Sequence, residues 1–103
     1  MTQKKKAKKQ PQPEDAPSQR APIFAPQFKE DLGWWYKTDK TKVDRIFDLV
    51  TDVMAHPLEG IGKPEPLKYV EPNTWSRRND QEHRLLYRVL HDRIQFLQAR
   101  YHY

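Results

Sequence analysis

Three arginines in one short stretch carry the first chemical suggestion. The run from Thr74 to Tyr87, TWSRRNDQEHRLLY, reads as two strands joined by a polar turn. WSRR is the first arm, Asn79-Asp80-Gln81-Glu82 the connection and HRLLYRV the second arm. Side chains alternate along a strand, so Leu85, Tyr87 and Val89 take one face and Arg84, Leu86 and Arg88 the other. Arg77, Arg78 and Arg84 thereby sit on paired, rigid backbone. Guanidinium groups held in that way can grip phosphates in fixed geometry. Taken singly, each of them reads as part of a solvated sheet face.

The elements that must position this hairpin are legible to different degrees. Residues 1–22, MTQKKKAKKQPQPEDAPSQRAP, have almost nothing to bury and read as a disordered leader. Lys4, Lys5, Lys6, Lys8 and Lys9 could hold RNA nonspecifically, but a solubilising role is the simpler reading. Ile23 to Phe28 is at best a brief strand, interrupted by Pro26. From Gln27 a helical spacing begins, with Phe28, Leu32 and Trp35 at i, i+4 and i+7 and Gly33 weakening it. Thr38-Asp39 breaks that helix and caps a second one. There Val43, Ile46, Phe47, Val50, Val53 and Met54 form an apolar stripe, ended by Pro57. The span HPLEGIGKPEPLKYVEPN is a loop of fixed path, from which Pro66 to Val70 enters the sheet. Arg93 to Tyr101 forms the last strand. The expected architecture is α+β: two N-terminal helices packed on a small antiparallel sheet of three to four strands.

Composition bounds the function classes. A chain of 103 residues makes one small domain, and all 12 aromatic residues lie from Phe24 onward. With no cysteine there is neither a disulfide scaffold nor a thiol nucleophile, which suits a reducing, cytoplasmic location. No apolar run approaches the roughly 20 residues of a membrane span. The formal charge of +5 is uneven. Residues 1–22 carry +4, residues 23–59 carry −2 and residues 60–103 carry +3. The half that holds the hairpin is thus the half suited to a polyanion.

At GIGKPEPLK, WSRR, EHRLLY and the terminal RYHY, the chain resembles the YoeB/Txe family of RelE-like toxins of type II toxin–antitoxin systems. The resemblance covers roughly residues 23–103. It implies a microbial-ribonuclease-like α+β fold, cleavage of mRNA in the ribosomal A site of the 70S ribosome, and neutralisation by a YefM-like antitoxin. A homodimer is a further possibility it carries. Asn79-Asp80 departs from the family pattern, in which an apolar residue is common in the turn.

RNA brings its own nucleophile, the ribose 2′-hydroxyl. Cleavage without a metal or cofactor needs a base for that proton, an acid for the departing 5′ oxygen and positive charge on the phosphorane. The resemblance assigns these parts. Glu65, fixed between Pro64 and Pro66, is the general base; without the family match it is an ordinary loop glutamate. His102, with the ordinary imidazole pKa of about 6.5, is the general acid, and the Tyr103 carboxylate favours its charged form. Arg84 stabilises the transition state. Arg78 and Lys68 bind RNA phosphate, and Tyr103 and Trp75 could stack on a base or ribose. Glu82 is an alternative partner for orienting Arg84. His56 and His83 have no spacing that suggests a metal, and the site shows no histidine pair. That leanness points to the ribosome as the source of part of the substrate geometry. The competing readings are a nonenzymatic RNA- or DNA-binding partner of an antitoxin repressor complex and a pure protein-interaction domain. Both need the arginines but no placed base and acid.

Overall fold

In the computed structural model, residues 20–102 are described. The chain enters with a strand, β1 (Ala21–Phe24), then α1 (Pro26–Thr38) and α2 (Lys40–Ala55). Four strands follow: β2 (Glu65–Pro66), β3 (Thr74–Arg78), β4 (His83–Val89) and β5 (Arg93–His102). They form one sheet in the order β1-β5-β4-β3-β2, antiparallel throughout except that β1 runs parallel to β5. Two helices on one sheet is the α+β layout expected, with five strands in place of three or four. Ala21 and Pro22, assigned to the leader on sequence, belong to β1; the rest of the leader up to residue 19 lies outside the described residues. The strand expected over Pro66 to Val70 shrinks to Glu65–Pro66, with one further backbone bond from Leu67 to Thr74.

Local chemistry explains the helix boundaries. Pro26 opens α1, where a missing N–H costs nothing and the fixed φ suits the first turn. Asp39 ends α1 and caps α2, its carboxylate accepting from Thr41 N and Thr41 Oγ1. Phe28 and Trp35 from α1, and Ile46, Leu49, Val50 and Val53 from α2, pack on Leu85, Tyr87, Ile94, Phe96 and Ala99 of the sheet. Each large apolar side chain buried there contributes about 1.5–3 kcal/mol. The stripe of α2 is rotated slightly from its expected position. Leu49 is fully buried, whereas Phe47 remains 47% exposed.

The last strand is fastened to α1 as well as to its neighbours. Pairing of β4 with β5 shifts register twice, between Arg84 and Leu86 and between Leu86 and Tyr87. Beyond Phe96, β5 has no parallel partner, and α1 side chains take the backbone groups of Ala99. Trp35 Nε1 donates to Ala99 O at 2.8 Å, and Ala99 N donates to the buried Asp31 carboxylate at 2.9 Å. This carries β5 past the end of β1 and out to His102.

Candidate active site

The candidate site begins with the loop between α2 and β2, because that loop presents Glu65. Arg77, on the helix-bearing face of β3, is fully buried. Its five N–H groups make five hydrogen bonds: to Tyr87 Oη, the Asp52 carboxylate and the carbonyls of Ile61, His56 and Glu59. Tyr87 Oη donates in turn to Pro57 O at 2.8 Å, and Ile61 N donates to Asp52 at 3.0 Å. Burial alone would raise the Asp52 carboxyl, but the bonds from Arg77 and Ile61 outweigh it and hold Asp52 below the ordinary carboxylate range. One guanidinium thus pins the loop over 56–61. Arg77 is therefore corrected from a sheet arginine available to phosphate to a structural clamp.

Gly62 continues the path. Its φ of +80° favours glycine, a Cβ there would lie 2.8 Å from Leu49 Cδ2, and its carbonyl accepts from Arg78 N. Three residues later Glu65 pairs in register with Ser76 on β3. Ser76, Arg78 and Arg84 share the sheet face opposite the helices, since Ser76 lies across from Leu86 and Arg78 across from Arg84.

On that open face Arg84 Nη1 donates to Glu65 Oε1 at 3.2 Å and approaches Ser76 Oγ at 3.4 Å. The two side chains differ in exposure: 9% for Arg84 and 47% for Glu65. The cation is set into the sheet and the carboxylate stands at its surface. Glu82, proposed as the alternative orienting partner of Arg84, is exposed in the turn beyond, and Glu65 fills that position. Beside the pair lies an open hollow of about 300 Å³, lined by Glu65, Pro66, Leu67, Lys68, Tyr69, Val70 and Tyr101. Lys68 is exposed at its edge and brings a second cation near Glu65. Arg78 is also exposed on this face.

His102 is not joined to this group. The strand register sets it directly opposite His83, with ring centroids 5.4 Å apart at 82°. The His83 ring meets Trp35 of α1 edge-on at 4.9 Å, so both histidines lie toward the helix-bearing face. Arg84 follows His83 on β4 and points the other way. The expected cluster of Glu65, Arg78, Arg84 and His102 is therefore two groups at one end of the sheet, on alternate faces. The histidine pair absent from the sequence reading is present here, assembled from two strands. Tyr103 lies outside the described residues, and Trp75 packs against the core. Sequence reasoning missed Ser76 and Tyr101; strand alternation from Arg78 would have put Ser76 on the open face, whereas Tyr101 reaches it opposite Arg84 only through the shifted pairing of β4 with β5.

The chain is thus a small α+β protein that holds a carboxylate–guanidinium pair, half-exposed at Glu65 and buried at Arg84, beside an open hollow carrying one acid and one base. The match to known proteins narrows this. Residues 24–103 match the family model described as the YoeB-like toxin of bacterial type II toxin–antitoxin systems, and the chain belongs to that family. Toxin YoeB of Mycobacterium bovis is 44% identical over 84 residues, 82% of this chain and 99% of that protein. The YoeB dimer from Staphylococcus aureus superposes with a TM-score of 0.75 at 38% identity, over 82% of this chain and 99% of that one. The heterotetrameric YoeB–YefM toxin–antitoxin complex from the same organism gives 0.71 at 39% identity, covering 82% and 98%. Among the described residues no helix is long and apolar enough to cross a membrane.

Proposed function

We propose that this toxin is an endoribonuclease that cuts mRNA on the ribosome, with Glu65 as base and Arg84 as the cation at phosphorus. The observation that carries the reading is the Glu65–Arg84 pair itself, a half-exposed carboxylate on a guanidinium seated in the sheet. Glu65 takes the proton from the ribose 2′-hydroxyl as its oxygen attacks the adjacent phosphorus. The P–O5′ bond breaks, leaving a 2′,3′-cyclic phosphate and a 5′-hydroxyl. Arg84, with Arg78 and Lys68 beside it, balances the charge that grows on the phosphorane. Pro64 and Pro66 limit the directions Glu65 can take, so less order must be gained when RNA arrives.

The leaving O5′ requires a proton, and His102 is the donor in this reading. It sits on the alternate face in the free protein, so it reaches O5′ by turning around the end of the sheet once RNA is in place. The exposure of His102 leaves that movement unobstructed by packing. A cytoplasmic site of action, the 70S ribosome as host of the mRNA, a YefM-like antitoxin and self-association as a homodimer complete the reading. The S. aureus YoeB dimer and YoeB–YefM complex support the last two.

Single-turnover primer extension on ribosome-loaded mRNA tests the roles. Glu65→Gln, Arg84→Ala and His102→Ala should each slow cleavage by roughly 10²–10⁴ with the fold intact. A loss of only about twofold would remove that residue from its role. Cleavage of naked and ribosome-loaded copies of one mRNA then measures what the ribosome supplies. A nonenzymatic RNA-binding protein would show no cleavage on either.

A further inference from the structure

The end of the sheet that turns His102 away from Glu65 also surrounds it with groups of a different chemistry. One ligand atom each from Glu82, His83 and His102 lies within 4.8 Å of the others. Glu82 and His102 are exposed, and His83 is partly buried. Neutral imidazole and carboxylate are the donors that zinc-class cations take, and three protein ligands leave a fourth position for water.

The surroundings of His83 favour this use. Its Nδ1 faces the Asp80 carboxylate at 3.1 and 3.2 Å, so Nδ1–H donates there and Nε2 is left as the metal-binding nitrogen. Asp80 is itself fixed, accepting from His83 N at 2.6 Å and Glu82 N at 2.8 Å. Trp35, packed edge-on against the ring, restrains its rotation. A carboxylate behind a histidine, with that histidine held by an aromatic ring, is the support that orients a metal-binding imidazole.

We propose that Glu82, His83 and His102 bind a divalent cation of the zinc class, and that the bound ion locks His102 away from Glu65 and Arg84. Ligand atoms around tetrahedral zinc lie about 3.4 Å apart, so starting from separations within 4.8 Å the three close by no more than about 1.4 Å. The exposed side chains of Glu82 and His102 supply that movement. The second half of the proposal rests on the RNA-cleaving reading, because it makes the metal a brake on the proton donor. The first half does not.

Untagged full-length protein, stripped of metal, is titrated with zinc sulfate at pH 7.5 against a chromophoric zinc indicator. One equivalent should bind. His83→Gln, His102→Gln and Glu82→Gln should each weaken binding at least tenfold, and Asp80→Asn about 10–100-fold through His83. His102 is exposed, so loss of binding in His102→Gln cannot come from a damaged core. Wild-type zinc affinity in both histidine variants would overturn the site. On ribosome-loaded mRNA, one equivalent of zinc should slow the wild type at least tenfold, reversibly with a zinc-selective chelator, and His83→Gln less than twofold. Equal slowing of both proteins would overturn the lock. Binding is measured without RNA, so a chain that takes zinc but cuts nothing upholds the site and removes the cleavage reading.

Discussion

The two faces of the sheet each bury an arginine in the same hairpin, and they use it in opposite ways. Arg77 on the helix-bearing face is surrounded by acceptors of the chain itself, and its bonds account for all five of its N–H groups. Arg84 on the open face meets Glu65, whose carboxylate is half in water. A carboxylate in that position can turn from guanidinium to substrate at little cost, because solvent already screens the pair. Backbone carbonyls cannot. Residue type and burial therefore do not distinguish the two arginines; the identity and exposure of the acceptor do.

The largest test of the contrast exchanges charge for a similar apolar length on each face. Arg77→Met strands Asp52 and three carbonyls in a partly buried loop, and should cost about 3–5 kcal/mol. Arg84→Met leaves Glu65 to water but takes a donor from the buried Ser76 hydroxyl, and should cost less, about 1–2 kcal/mol. Urea denaturation at pH 7 reads both. Equal losses would dissolve the distinction. The functional ranking should be reversed, with folded Arg84→Met inactive and any residual folded Arg77→Met cleaving RNA with Glu65 poorly placed.

Acid should weaken the clamp through Asp52. Asp52 has a folded-state pKa below its unfolded value of about 3.9, so its stabilisation is present above that value. It is lost as pH falls through the lower, folded value. Asp80 behaves in the same direction. The penalty of Asp52→Asn, measured by denaturation, should therefore be full at pH 7 and shrink as pH drops below about 4. A penalty constant down to pH 2 would detach Asp52 from the clamp. At the other limit, burial raises the Tyr87 phenol, despite Arg77. That contribution is intact below the unfolded value of about 10 and disappears as pH rises through the folded one.

How legible these parts were depended on the range of the interactions that set them. The central hairpin was readable residue by residue, because alternation and a polar turn are local. The cap at Asp39 was local too. β1 was obscured by Pro22 and Pro26, and its pairing with β5 joins segments some 70 residues apart, as Ala21 with Arg93 shows. Phe47 and Leu49 exchanged roles because a helical stripe fixes its face only to within a residue or two until its neighbour is known. At the site, Glu65 and Arg84 came from the family resemblance, and the fold brings them together. What the sequence did not reveal was the pairing of His102 with His83. That pairing depends on two register shifts between β4 and β5, which no local pattern announces.

The helix-bearing face also contains the reverse of Arg77, a buried polar side chain with no partner. Asn79 is 6% exposed, and among the described residues neither its Nδ2 nor its Oδ1 makes a hydrogen bond. Its backbone N–H still donates to His83 O, so a change of side chain leaves the turn bonded. Burying an amide without partners costs about 1–3 kcal/mol, and an apolar group of similar volume removes that cost. Asn79→Leu should therefore raise stability by about 1 kcal/mol, the smallest effect here and the one opposite in sign. If urea denaturation showed Asn79→Leu to be destabilising, the amide would have a partner on this face, and the contrast with Arg77 would rest on Arg84 alone.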